Sequence, residues 1–218
     1  MGIRVRELRM TYPGVADPVL DIPSLDVLEG QDVCLVGSSG SGKTTLLNIL
    51  AGITVPTSGS IHYDETDLCN LSEGRRDRFR AENIGYVFQT FNLLQGLSSI
   101  ENVLLAMRFG GLKGAAARTR AEELLERVGL MHRKDARPGT LSVGEQQRVA
   151  IARALSNKPR VVLADEPTAN LDESNGEEVV ALLREVTAHE SSSLVLVTHE
   201  DRVRSAFENV VVLSEVSA

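Results

Sequence analysis

Short aliphatic and β-branched runs alternate along this chain with longer stretches in which apolar residues return every three to four positions. That is the pattern of a mainly parallel sheet flanked by helices, an α/β fold. Residues Asp32 to Val36 read as a buried strand and Lys43 to Leu50 as the helix after it, with Gly52 placed to end that helix. Further buried strands are expected at Ile84 to Phe88, Val161 to Ala164 and Leu194 to Val197, each short, apolar and followed by polar residues. Polar groups therefore gather at strand carboxyl ends, where open parallel sheets bind ligands.

From about Thr90 to Asn157 the pattern is helical, with Ala117, Ala121, Leu124, Leu125 and Val128 on one stripe. Glu173 to His189 repeats the signal, since Val179, Leu182, Leu183 and Val186 recur at helical spacing. The amino-terminal runs Ile3 to Leu8, Val19 to Ile22 and Ile61 to Tyr63 suit a small antiparallel sheet. No internal repeat or low-complexity tract interrupts this order.

Composition narrows the partners. At 218 residues and 42% hydrophobic content, one sizeable domain can bury its core without disulfides or metals. The formal net charge is −7, so no global positive field draws phosphate backbones, and nucleic acid is not an expected partner. The two cysteines, Cys34 and Cys69, have neither zinc-site spacing nor the density of a secreted scaffold, which fits a reducing cytoplasm. No run approaches the roughly 20 apolar residues that span a bilayer, and the amino terminus lacks a secretory signal. Gly2 is not read as a myristoylation site, because Arg6 stands where that motif wants Ser or Thr. His62, His132 and His189 have no chemical context and read as surface residues.

The string GSSGSGKTT fits G-x-x-x-x-G-K-[ST] between a predicted strand and a predicted helix. Glycines let successive N–H groups turn towards phosphates, and the helix amino terminus adds partial positive charge. The candidate nucleotide cradle is thus Gly37, Ser38, Ser39, Gly40, Ser41, Gly42, Lys43, Thr44 and Thr45. Lys43 would reach the β and γ phosphates of a bound nucleotide, and the Thr44 hydroxyl would complete a Mg²⁺ shell. A GTPase would need N-K-x-D, but the nearest string, NKPR, has Arg160 in place of the aspartate.

A second acidic centre closes RVVLADEP, where Asp165 and Glu166 end a buried strand before Pro167. Adjacent acids on a strand end diverge, so one can serve the metal shell through water while the other polarises an attacking water. Ser142 and Glu145 fit the S-x-x-E capping box and would begin a helix whatever else they touch.

The segment TLSVGEQQRVAIARAL resembles the LSGGQ signature of ABC (ATP-binding cassette) ATPases, a string that other P-loop classes lack. VFQTFNLL with Gln89, DEPTANLD with Asp172 and LVTHE with His199 resemble the family's Q-loop, D-loop and switch histidine, in the family's order. Tyr12 in MTYPG resembles the tyrosine that stacks on adenine, so the similarity runs from residue 3 to about 213. The resemblance implies a P-loop NTPase core of the RecA-like kind over 1–89 and 158–218, with a helical subdomain over about 90–157. It implies Glu166, His199, Lys43 and Gln89 as catalytic residues. Mg²⁺ would be held by Thr44, Gln89 and, through water, Asp165. It also implies that Ser142, Gly144 and Glu145 address the γ phosphate bound by a second copy, so that two ATP molecules join a homodimer head to tail.

One departure is Val143 at the usual first signature glycine; were that position left-handed, a β-branched residue would weaken the closed dimer. RAENIGYVFQTFNLLQGLSSIENVLLAM and LADEPTANLD look most like the ATPase subunits of lipoprotein-releasing, macrolide-exporting and cell-division systems. That implies a separate permease with few transmembrane helices and an extracytoplasmic domain, and a place on the cytoplasmic face of the plasma (inner) membrane. Regulation of cell-wall hydrolysis through such a partner is the alternative. A soluble cassette working on nucleic acid or ribosomes fits poorly, since the chain has one cassette and no heptad tract. Arg75, Arg76, Arg78 and Arg80 are interleaved with Asp77 and Glu82 and read as a solvated helix face rather than the alternative, a partner-docking surface. Phe91, Leu93, Leu94 and Leu97, just after Gln89, suit either a docking surface for the permease or subdomain core.

Overall fold

The computed structural model describes residues 1–38 and 40–213. The chain opens with β1 (Ile3–Met10) and β2 (Leu20–Val27), antiparallel with Val5 opposite Leu25 and Leu8 opposite Ile22. β3 (Asp32–Val36) then leads through a tight loop into α1 (Lys43–Leu50), with both ends where the pattern placed them. β4 (Ser58–Tyr63) and the two-residue β5 (Thr66–Asp67) return to the first sheet, whose order is β2-β1-β4-β5. α2 (Glu73–Asn83) precedes β6 (Ile84–Val87). Next come α3 (Ser99–Phe109), α4 (Gly114–Arg127) and α5 (Val143–Ala154), then β7 (Val161–Asp165). α6 (Glu173–His189), β8 (Ser193–Thr198), α7 (Asp201–Arg204) and β9 (Asn209–Val212) close the fold. The second sheet is parallel in every pairing, with order β6-β7-β8-β3-β9.

The unbroken apolar runs of β7 and β8 follow from having both faces covered. Val162, Ala164, Leu194 and Leu196 face one core with α3 to α6, while Val161, Leu163, Val195 and Val197 face another with α1 and the antiparallel sheet. The helical stripe from Ala117 to Val128 lies in the first core. A β-bulge shifts the phase of β1. Arg6 pairs Ser60 but Arg9 pairs Ser58, and Glu7 takes φ 49° so that Val5 and Leu8 both stay buried. Across the bulge a β-carbon at Gly59 would lie 2.4 Å from the Glu7 carbonyl oxygen, so only glycine fits there.

α2 has no buried residue, as its mixed charges predict. Its arginines nonetheless divide. Arg75 and Arg78 are exposed, whereas Arg80 donates to the Ala51 and Gly52 carbonyls at 3.4 and 3.2 Å and closes the end of α1. Cys34 is buried in β3, where burial pushes its thiol up to about 12, and both cysteines are free. Among the described residues no helix is long and apolar enough to cross a membrane.

Candidate active site

Register brings the chemistry together. Val36 pairs Thr198, Asp165 pairs Val197 and Val87 pairs Ala164, so β3, β8, β7 and β6 end at one level. The loop after β3, Asp165 and Glu166, His199 and Gln89 are therefore adjacent although distant in sequence. They surround a cleft of about 370 Å³, with Lys43, Thr44 and Thr45 on one side and Gln89, Glu166 and His199 on the other.

Lys43 is 7% exposed, and its Nζ donates to the Gly37 and Ser38 carbonyls at 2.8 and 2.9 Å. It also lies 3.6 Å from a Glu166 carboxylate oxygen. Gly42 caps α1 in the left-handed region at φ 87°, which turns the first helical N–H groups to the cleft. Ser41 Oγ is buried with no hydrogen-bond partner among the described residues. Ser39 lies outside the described residues. Tyr12 is exposed, its hydroxyl 3.4 Å from Thr45 Oγ1.

The two acids diverge as their strand-end position predicts. Asp165 Oδ1 accepts from Thr44 Oγ1 at 3.1 Å, and burial pushes its carboxyl above the ordinary value against the opposing effect of that bond. Glu166 turns the other way because its own φ is 45°. Its N–H donates to Val197 at 3.0 Å, and its Oε2 lies 2.7 Å from His199 Nδ1. A carboxylate only accepts, so Nδ1 carries the hydrogen and Nε2 is left for another partner. Left-handed geometry at a non-glycine residue is strain of about 1–3 kcal/mol of the kind that collects at active sites.

Ser142, Gly144, Glu145 and Asp172 do not line this cleft. Ser142 caps α5, accepting from Glu145 N at 3.2 Å, while Glu145 accepts from Ser142 N at 2.7 Å, as the capping box requires. Those bonds, with Arg133 nearby, hold the Glu145 carboxyl below its usual range. Val143 is the first residue of α5 and has no positive φ, so the valine needs no left-handed geometry. A β-carbon at Gly144 would meet only Asn175 Oδ1, at 3.8 Å. Asp172 caps α6 by accepting from the backbone and side-chain N–H of Asn175, which lowers its carboxyl.

Residues 20–169 match the family model described as ABC transporter. The chain belongs to the ABC transporter family. An uncharacterised ABC transporter ATP-binding protein of Mycobacterium tuberculosis, Rv2564, is 44% identical over 214 residues, 97% of this chain and 64% of that protein. The chain thus spans under two thirds of the length of these mycobacterial relatives. The lipoprotein-releasing system ATP-binding protein LolD of Saccharophagus degradans is 44% identical over 177 residues, 81% of this chain and 78% of the relative. Among solved structures, the ATP-binding cassette MJ0796, described as dimeric in a post-hydrolysis state bound to ADP and Pi, superposes with a TM-score of 0.87. It is 36% identical and covers 96% of this chain and 93% of that one.

Three residues of the chain that brace the loops around the cleft escaped the sequence reading. Asn170 Nδ2 donates to the Gln89 carbonyl at 2.8 Å, and Thr168 Oγ1 to Glu200 at 2.6 Å. Arg153 donates to the Phe91 and Asn92 carbonyls. No local pattern signals such long-range contacts. The run after Gln89 splits between its two readings: Leu93 is buried in the core, Phe91 packs against it, and Leu94 is 50% exposed.

A second capping box, Ser98 with Glu101, starts α3. Ser98→Ala and Ser142→Ala are each expected to destabilise by about 0.5–2 kcal/mol. Thermal melts check that, and ATP turnover separates them, because only Ser142→Ala should lower it beyond the loss of folded protein.

Proposed function

We propose that this chain binds and hydrolyses ATP to energise a separate membrane subunit in a system of the lipoprotein-releasing or macrolide-exporting kind. The observation that carries the reading is Glu166, set between Lys43 and His199 over a cleft floored by a helix-capping glycine loop. Phosphates would occupy the loop of Gly37 to Thr45, releasing Lys43 from the Gly37 and Ser38 carbonyls and giving Ser41 Oγ the partner it lacks. Tyr12, exposed above Thr45, suits adenine stacking. His199 Nε2 and the Gln89 amide would face the γ phosphate, and Glu166 would take a proton from the attacking water.

Mg²⁺ fits the donor set. Magnesium is usually held by one or two carboxylates and substrate phosphates, which suits Asp165 beside Thr44 with Gln89 across the cleft. Such an ion would balance charge at the phosphates. Asp165 is destabilising when ionised and unneutralised, because its folded-state pKa is raised. Its favourable contribution is therefore present in acid and lost as pH rises through the folded value. Asp165→Asn is expected to raise the melting temperature of the nucleotide-free protein at neutral pH, with the gain vanishing in acid, and to remove Mg²⁺-dependent turnover. An unchanged melt at neutral pH would refute the first half.

Ser142, Gly144 and Asp172, away from the cleft, suit contact with nucleotide held by a second copy, in line with the dimeric state described for MJ0796. The helices over 90–157 would act as the subdomain that carries Ser142 to that nucleotide. A groove of about 570 Å³ that includes Phe88 and the 74%-exposed Phe109 suits a cytoplasmic segment of the permease, which would hold this chain at the inner face of the membrane. The test is ATP turnover of the protein co-purified with its membrane subunit and reconstituted in lipid. Mg²⁺-dependent turnover that rises with the membrane subunit present supports the reading, and turnover no higher than background ends it.

A further inference from the structure

His199 is thinly held. It follows the end of β8 with its side chain 57% exposed, and among the described residues its ring has one hydrogen-bond partner, Glu166 Oε2 at 2.7 Å. An imidazole that far out in water turns about its side-chain bonds unless the backbone carrying it is fixed. The next residue, Glu200, supplies the fixing.

The N–H of Glu200 donates to Thr198 Oγ1 at 3.0 Å. One oxygen of its carboxylate accepts from Thr168 Oγ1 at 2.6 Å, and the other accepts from Arg202 Nε and Nη2, each 2.5 Å away. Bonds to a charged acceptor are the short, strong kind. Thr168 and Thr198 are fully buried, so neither hydroxyl can turn to water instead. Thr168 lies two residues beyond Glu166, and Glu200 one beyond His199. The Thr168–Glu200 contact is therefore a second rung between the ends of β7 and β8, running beside the Glu166–His199 rung and buried where that one is open to solvent.

We infer that Glu200 is a positioning residue of ATP hydrolysis, whose grip on Thr168 keeps His199 aligned on Glu166. Arg202 holds the second carboxylate oxygen and so keeps the first aimed at Thr168. The inference rests on the roles proposed above for Glu166 and His199, and it adds the residue that holds the two together. Glu200 does not line the cleft, so its effect falls on alignment and not on nucleotide binding.

The experiment measures ATP turnover of the complex purified with its membrane subunit. Glu200→Ala is expected to lower kcat by about 10–10², the cost of misplacing a reacting group by about 1 Å, and to leave KM for ATP unchanged. Thr168→Val, which loses the hydroxyl, should match it, while Thr168→Ser keeps the hydroxyl and should turn over like the parent. Glu200→Gln keeps an oxygen for Thr168 but sets an amide N–H against Arg202, so its rate should fall between. The double variant of Thr168→Val with Glu200→Ala should be no slower than the slower single, because the two residues act through one contact.

A second arm repeats Glu200→Ala in a His199→Ala background, with protein in excess of ATP so that slow single turnovers stay measurable. Once the histidine is gone there is nothing left to align, and Glu200→Ala should cost little further. An equal loss in both backgrounds, a parent-like kcat in Glu200→Ala, or a loss that thermal melts trace to unfolded protein in Glu200→Ala and Thr168→Val alike would mean that Glu200 only supports the fold. Each of these overturns the inference and leaves the proposed function intact. Were Glu166→Gln and His199→Ala themselves to turn over like the parent, the reading of the catalytic pair would fall and the inference with it.

Discussion

Glu166→Gln is expected to lower ATP turnover by about 10²–10⁴, the usual worth of a positioned general base. Glutamine has the shape of glutamate, and the geometry that orients the side chain survives, since the residue is pinned through its N–H to Val197 and accepts from His199 Nδ1. What is lost is the proton acceptor. The carboxylate is held 3.6 Å from Lys43 and pointed away from Asp165, so no neighbour is placed to replace it. ATP affinity should not fall, because the substitution removes a negative charge beside an anionic substrate. ATP should therefore accumulate on the protein, and size-exclusion chromatography with ATP and Mg²⁺ should show a dimer that persists. Phosphate release within a few fold of the parent would refute the assignment. His199→Ala should also be costly, and the double variant should be scarcely worse than Glu166→Gln alone, because residues acting as a unit are not additive.

The contrast between local and long-range information explains what the sequence revealed. The limits of α1 and α6 were legible because the helical period agrees with flanking glycines at α1 and with an Asp172 cap at α6, and the capping box at Ser142 carries its own signature. The cleft was legible because the glycine loop, the acid pair and the histidine each follow a buried strand, and parallel strands in register must deliver their ends to one edge. The bulge at Glu7 was not, since it depends on Gly59, which approaches only after the sheet has formed. Nor were the left-handed turns at Phe91, Asn92 and Glu166, which no glycine announces. They persist because Arg153, Val197 and His199 hold them from other elements. The arginines of α2 read correctly as a mixed-charge helix, but only packing shows that Arg80 closes α1 while Arg78 has no ion-pair partner among the described residues.

Gly42→Ala is expected to abolish nucleotide binding and to destabilise the protein well beyond Gly40→Ala, although both glycines belong to one motif and both have positive φ, 87° and 81°. Any alanine there meets the left-handed penalty of about 1–2 kcal/mol. At Gly40 that is the whole cost, because a β-carbon would find nothing within 4 Å. At Gly42 it would lie 2.6 Å from Leu20 Cδ2 and 2.9 Å from the Val19 carbonyl oxygen, an overlap with backbone that no rotamer relieves. Overpacking of this kind adds about 1–3 kcal/mol, and the loop can escape only by moving away from β2. Because Gly42 caps α1, that movement tilts the N–H groups meant for phosphate and carries Lys43 and Thr44 with them. Each kcal/mol lowers the melting temperature by about 2–4 °C in a domain of this size, so melts should separate the two variants clearly. Titration with ATP should then find binding retained in Gly40→Ala and lost in Gly42→Ala. Equal affinities would mean that the approach of β2 to the loop plays no part in shaping the site.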